Sequence, residues 1–98
     1  MNYAYREITV STTATANDKV IGVDTSSAVS SIQLPGTSGV RSGFLLIIKD
    51  IGNSASTNNI TITPAGSDKI DSASSIVINV DYASVSLVSD GSGQWHVY

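Results

Sequence analysis

The chain has no cysteine, so neither a disulfide framework nor a thiolate metal site can be built from it. It has a single histidine, His96, so a zinc site or catalytic triad built on His96 would need partners the sequence does not supply. Charge is scarce too: charged residues make up 13% of 98, against about a quarter in an average domain. Basic residues number five (Arg6, Lys19, Arg41, Lys49, Lys69), scattered along the chain, and the net charge is −3. That balance excludes phosphate-backbone binding as a main task, so no nucleic-acid partner is expected. The apolar runs are too short to cross a membrane as a helix, and no membrane partner is expected. The N-terminus MNYAYREITV lacks a basic start, an apolar block and a small-residue cleavage site. The chain begins at Met1 and reads as a whole gene product.

What is present is β-branched, hydroxyl-rich and punctuated by turns. The longest apolar run, Phe44 to Ile48 within GFLLIIKD, reads as the central strand, buried on both faces. Around it, further strands are expected at Tyr3–Val10, 19–24, 29–34, 60–63, 69–71, 76–80, 83–89 and 94–98. Turn residues separate them: Asn17-Asp18, Pro35-Gly36, Pro64, and Asp90-Gly91-Ser92-Gly93. Segment 83–98 is the one pairing legible locally, a hairpin. No stretch carries a helical period. The expectation is an all-β antiparallel two-sheet sandwich of about eight strands, jelly-roll-like being one form of it. Residues 1–18 read as an N-terminal strand or arm and 19–98 as the sandwich module, one domain in all. At this length roughly 60–65% of the unfolded surface is buried, enough for one core.

From the central strand onward the order of short motifs resembles a β-rich structural module of tailed-bacteriophage virions. The motifs are Ile48-Lys49-Asp50, then Asn59 to Pro64, Gly66, Asp68 and Ile70-Asp71. They continue with Tyr82, Ser84, Leu87, Ser89-Asp90-Gly91 and Trp95. Upstream, Ile32-Gln33-Leu34-Pro35 fits the module's Ile-x-Leu-Pro step. Ser72 departs from the pattern, which has Gly there. The resemblance implies a virion structural protein, and the short length implies a capsid decoration (cement) protein on the capsid surface. Its implied partners are two further copies, as a homotrimer, and the major capsid protein. The second reading is a tail-fibre or appendage module binding a host receptor or glycan through loops 52–59 and 90–94.

No catalytic, cofactor-binding or metal-binding residue is assigned, and the chain is not expected to be an enzyme. Asp68 and Asp71, with Asp50, Asp81 or Asp90, could in principle ligate calcium, but their spacing matches no EF-hand or RTX pattern, and turn capping is the expectation. His96 is expected to face away from the core side of Trp95. Trp95 is read as core, with an interface role as the other choice. The candidate interface is Tyr3, Tyr5 and Arg6, joined by Arg41 of the 36–43 loop, because aromatics near a chain end imply a surface that holds them.

Overall fold

The computed structural model describes residues 4–98. Short strands with inward-facing Ile, Leu and Val alternate between two sheets. β1 (Tyr5–Ile8) starts a larger sheet and β2 (Thr12–Thr13) a smaller one. β3 (Val20–Val23) returns beside β1, and β4 (Ser30–Gln33) beside β2, both parallel. β5 (Leu45–Asp50) then lies beside β3, and β6 (Ile60–Thr63) beside β4, again parallel. The chain therefore winds through three coils, each adding one rung of about 4.8 Å to both sheets.

The last third closes this stack with antiparallel strands. β7 (Lys69–Ile70) sits at the far edge of the larger sheet. β8 (Ile76–Ile78) pairs antiparallel with β6, and β9 (Ser84–Ser89) antiparallel with β5. β10 (Gln94–Val97) completes the expected hairpin with β9 and lies parallel to β7. The sheet orders are β1-β3-β5-β9-β10-β7 and β2-β4-β6-β8. Two packed sheets are as expected. An all-antiparallel or jelly-roll arrangement is not: both sheets are mixed, because each chain turn carries the next strand back in the same direction. The only helical turn among the described residues is a 3₁₀ turn at Thr37–Gly39.

Between the sheets lies one core. Ile21, Val23, Leu46, Ile48 and Leu87 come from the larger sheet, and Ile32, Ile60, Ile62 and Ile78 from the smaller. Burying each such side chain stabilises the fold by about 1.5–3 kcal/mol. Loop residues Leu34, Phe44 and Ala55 close the ends of the core. Phe44 meets Trp95 edge to face, with centroids 6.1 Å apart, and the Lys19 ammonium sits 4.0 Å above the Phe44 ring. Trp95 is fully buried, as the core reading expected.

One expectation about β5 is overturned. The strand is central in its sheet but is not buried on both faces. Leu46, Ile48 and Asp50 point inward and are buried, whereas Leu45 is 47% exposed and Ile47 and Lys49 are half-buried. Strand neighbours protect its edges, and among the described residues no third layer covers its outer side.

Candidate functional site

The outer face of the six-stranded sheet is built by simple alternation. Where Arg6, Ile21, Ile48 and Val85 share one inward row, the residues one step away share an outward row. That row runs Tyr5, Val20, Ile47, Ser86, and Tyr98 extends it through its N–H to the Ser86 carbonyl at 3.1 Å. A second row runs Leu45, Val88, His96. The result is an apolar strip (Val20, Leu45, Ile47, Val88) with a tyrosine at each side, Tyr5 55% and Tyr98 64% exposed. Tyrosine suits such a border, because its ring is apolar and its hydroxyl tolerates water.

Tyr5 is held in place. Its hydroxyl donates to Glu7 Oε2 at 2.9 Å, and that bond raises the Tyr5 pKa. The ring crosses Gly22 on the neighbouring strand. A Cβ there would stand 2.6 Å from the Tyr5 hydroxyl and 3.1 Å from Ile51 Cδ1, so any larger residue would push the tyrosine out of this seat.

The structure sets Arg6 and Arg41 apart from this strip. Tyr3 lies outside the described residues. Arg6 points inward at the open end of the sandwich: its guanidinium donates to Asp18 Oδ1 (3.1 Å) and Oδ2 (2.9 Å), and to Thr12 Oγ1 (3.2 Å). This fork closes the first coil with a bidentate ion pair, a geometry arginine favours. Arg41 is exposed in the loop before β5, and its carbonyl accepts the Phe44 N–H. The fold therefore groups Tyr5 with Val20, Leu45, Ile47, Val88 and Tyr98, and not with Arg6 or Arg41. Sequence reading saw Leu45 and Ile47 only as core. The signal that they face outward is the polar Lys49 two and four residues on, which marks one face of the strand as solvated.

The aspartates serve the turns. Asp50, fully buried at the end of β5, is the centre of one seam. Its Oδ1 accepts the Thr25 hydroxyl (2.7 Å) and the Gly52 N–H (2.9 Å), and its Oδ2 the Tyr82 (3.0 Å) and Ala55 (3.1 Å) N–H groups. Burial pushes this carboxyl up, but those donors outweigh it and hold its pKa below the usual value. Thr25 in turn accepts the Ser54 N–H at 2.9 Å. One side chain thus ties loops 24–26, 51–55 and 80–83 together. Gly52 is required there, since a Cβ would stand 2.9 Å from the Ser26 nitrogen.

Asp68 does the same at the opposite end, accepting the Thr37 N–H (2.8 Å) and hydroxyl (3.2 Å). Asp81 accepts the Ser56 N–H, and Asp90 those of Ser92 and Gln94. His96 faces away from the core, with Nδ1 3.1 Å from Asp71 and Nε2 3.5 Å from Asp90. Among the described residues, no group of three or more His, Cys, Asp or Glu is placed to hold a metal ion.

A second apolar surface appears where the smaller sheet stops short. Beyond its edge strand β8, the larger sheet continues through β10 and β7. A groove there is lined by Ile76, Ile78, Val80, Ala83 and Val85. Val77 and Val80 on its rim are 47% and 62% exposed. Val97, on the inner face opposite Leu87, is still 41% exposed.

The outer face of the smaller sheet is different in kind. Thr13, Gln33 and Thr63 form one row, and Ser31, Thr61 and Val77 the next. No strand of this sheet contains a charged residue. No protein-family model and no curated protein matches the chain.

Proposed function

We propose that the chain is a non-catalytic structural subunit that works by adhesion, as a capsid decoration protein binding the major capsid protein as a trimer. The observation that supports this reading is the outer face of the six-stranded sheet, where Tyr5, Leu45 and Tyr98 are exposed, Val20, Ile47 and Val88 between them are half-buried, and no described layer covers them. Contiguous exposed apolar area of this sort marks interaction surfaces, whereas singly exposed apolar residues do not. Weak charge, 13% of residues, limits repulsion between adjacent copies. Three linked contacts convert a modest single affinity into a firm one.

The motifs behind the virion resemblance fall on scaffold positions. Asp50, Asp68, Tyr82, Asp90 and Trp95 cap turns, donate to caps or fill the core. Ser72, which stands where the module has Gly, has φ +68°, a conformation glycine adopts freely. Both facts support a shared scaffold and leave the adhesive surface outside the motifs. The receptor- or glycan-binding reading has less support, because Asn58 and Asp90 of its loops are engaged within the chain, Asn58 donating to the Thr25 carbonyl at 2.7 Å.

Cryo-electron microscopy of the intact virion tests the reading. Density for this fold at many symmetric positions on the shell is expected. Density confined to a tail or neck overturns it.

A further inference from the structure

We infer that the pocket between Lys19 and Arg41, at the end of the sandwich where β3 and β5 begin, is an anion site that takes the carboxylate of an acidic side chain on a protein partner. The inference begins from how the five cations are used. Arg6 is held by Asp18, and Lys49 donates to the Tyr82 carbonyl and lies 5.3 Å from the Tyr82 ring. Lys19, Arg41 and Lys69 have no ion-pair partner among the described residues. Lys69 lies apart in β7, at the far edge of the larger sheet. Lys19 and Arg41 instead line one open pocket of about 340 Å³, with Ala16, Gly39, Val40 and Phe44. None of these residues is acidic. The carboxylate next in sequence, Asp18, is occupied by Arg6 (3.1 and 2.9 Å) and by the Thr15 N–H (2.9 Å). Two cations thus share a concave surface without a counter-charge, in a chain whose net charge is −3.

The pocket is held in shape by the fold. The loop carrying Arg41 is pinned on both sides. Thr37 donates its N–H to Asp68 at 2.8 Å, and the Gly43 N–H donates to the Ser89 carbonyl at 2.8 Å. Lys19 is half-buried, with its ammonium 4.0 Å from the centre of the Phe44 ring. That contact positions the charge without neutralising it, so less ordering is needed on binding. A carboxylate suits this pair of donors: guanidinium offers it two parallel N–H groups and ammonium a point charge. The volume is near the lower end of the range for small ligands, about 300–1,000 Å³. It admits one side-chain carboxylate. A sugar finds no platform, because the Phe44 ring is 8% exposed and its face is taken by Lys19. A polyanionic chain is repelled by the net negative charge. An isolated acidic side chain on a protein surface meets neither objection. That this partner is the shell protein rests on the function proposed above. The carboxylate site does not.

The test uses the full chain, isotope-labelled, titrated with a tetraglutamate peptide and followed by amide NMR. Shifts confined to residues 16–19 and 39–44 are expected, with a Kd of about 1 mM at low salt. Affinity should fall several-fold as salt rises from about 0.01 to about 0.15 M. Lys19→Gln and Arg41→Gln should each weaken binding about two- to fivefold, and the double variant should lose it. Lys69→Gln, outside the pocket, should leave it unchanged. The same spectra report whether each variant is folded. If Lys19→Gln unfolds, Arg41→Gln in the exposed loop decides alone.

Equal shifts with a tetraglutamine peptide would overturn the inference, as would binding that neither Lys19→Gln nor Arg41→Gln weakens. Tighter binding of a glucuronate oligosaccharide than of the peptide would overturn the protein partner. Tail density in the virion would remove the decoration role and leave this site standing. A titration without shifts would remove the site and leave the shell question to the virion map.

Discussion

The two sheets share one core and present opposite outer faces. Inward, both offer the same chemistry: Ile21, Leu46 and Ile48 on one side meet Ile32, Ile60 and Ile62 on the other. Outward, the smaller sheet shows mostly hydroxyls and an amide that water satisfies, with Val77 exposed at its edge. The larger shows Leu45, Ile47 and two tyrosines, which water does not. A strand rich in Thr and Ser can be finished by solvent. A strand such as β5, apolar at four successive positions, is not finished until something covers its second face. Under the proposed function, the difference assigns the adhesive contact to the six-stranded sheet and leaves the four-stranded sheet as support.

The largest effect should come from the polar seam at the end of β5. Asp50→Ala leaves a hydroxyl and three backbone N–H groups without their acceptor, and a loss of about 3–5 kcal/mol is expected in urea unfolding. A loss under about 1 kcal/mol would mean the seam is not what joins those loops.

Next come the inner faces, which should respond alike. Ile48→Ala and Ile62→Ala should each cost about 2–5 kcal/mol, one from each sheet. Leu45→Ala, adjacent in sequence to the core but facing out, should cost only about 0.5 kcal/mol while weakening association. If Leu45→Ala costs as much as Ile48→Ala, the face is covered within the single chain and the contrast between sheets fails.

Acid should act through the same seam. The folded pKa of Asp50 lies below its unfolded value. Its contribution is therefore complete above about pH 5 and is lost as pH falls through the depressed folded value. Unfolding midpoints measured from neutral pH downward should fall in that window, and Asp50→Asn should flatten the fall. A midpoint that drops equally in Asp50→Asn would assign acid sensitivity to other groups.

Smaller again is Arg6→Gln, which removes the ion pair to Asp18 at the partly exposed open end and should cost about 1 kcal/mol. The smallest is Thr63→Ser on the outer face of the smaller sheet. It should change stability by less than about 0.5 kcal/mol and leave association untouched. A marked loss of association there would move the adhesive surface to the wrong sheet.

Much of the fold was legible from local pattern. Ile60-Thr61-Ile62-Thr63 alternates in sequence and alternates in burial. Asp90-Gly91-Ser92-Gly93 announces the hairpin, and Gly91 and Gly93 take positive φ there. The aspartates were readable as turn caps. Of the candidate site, Tyr5 was legible as an exposed aromatic, while Tyr98, Val20 and Val88 were not associated with it.

The amino-acid sequence by itself determined where most strands run, because period-two burial and turn chemistry act between residues only a few positions apart; it did not separate β2 (Thr12–Thr13) from the N-terminal strand. Strand direction and sheet membership were decided by tertiary structure alone. Tyr5 pairs with Val20 fifteen residues on, and Val20 with Ile47 twenty-seven on. In the smaller sheet Thr12 pairs with Ile32 twenty on, and Ile32 with Ile62 thirty on. Coils of such unequal length leave no repeating period in the sequence, so parallel winding had no local signature. The exposure of Leu45 was likewise a tertiary decision: a side chain's apolarity states what it would bury against, and only the packing of the two sheets leaves it uncovered among the described residues.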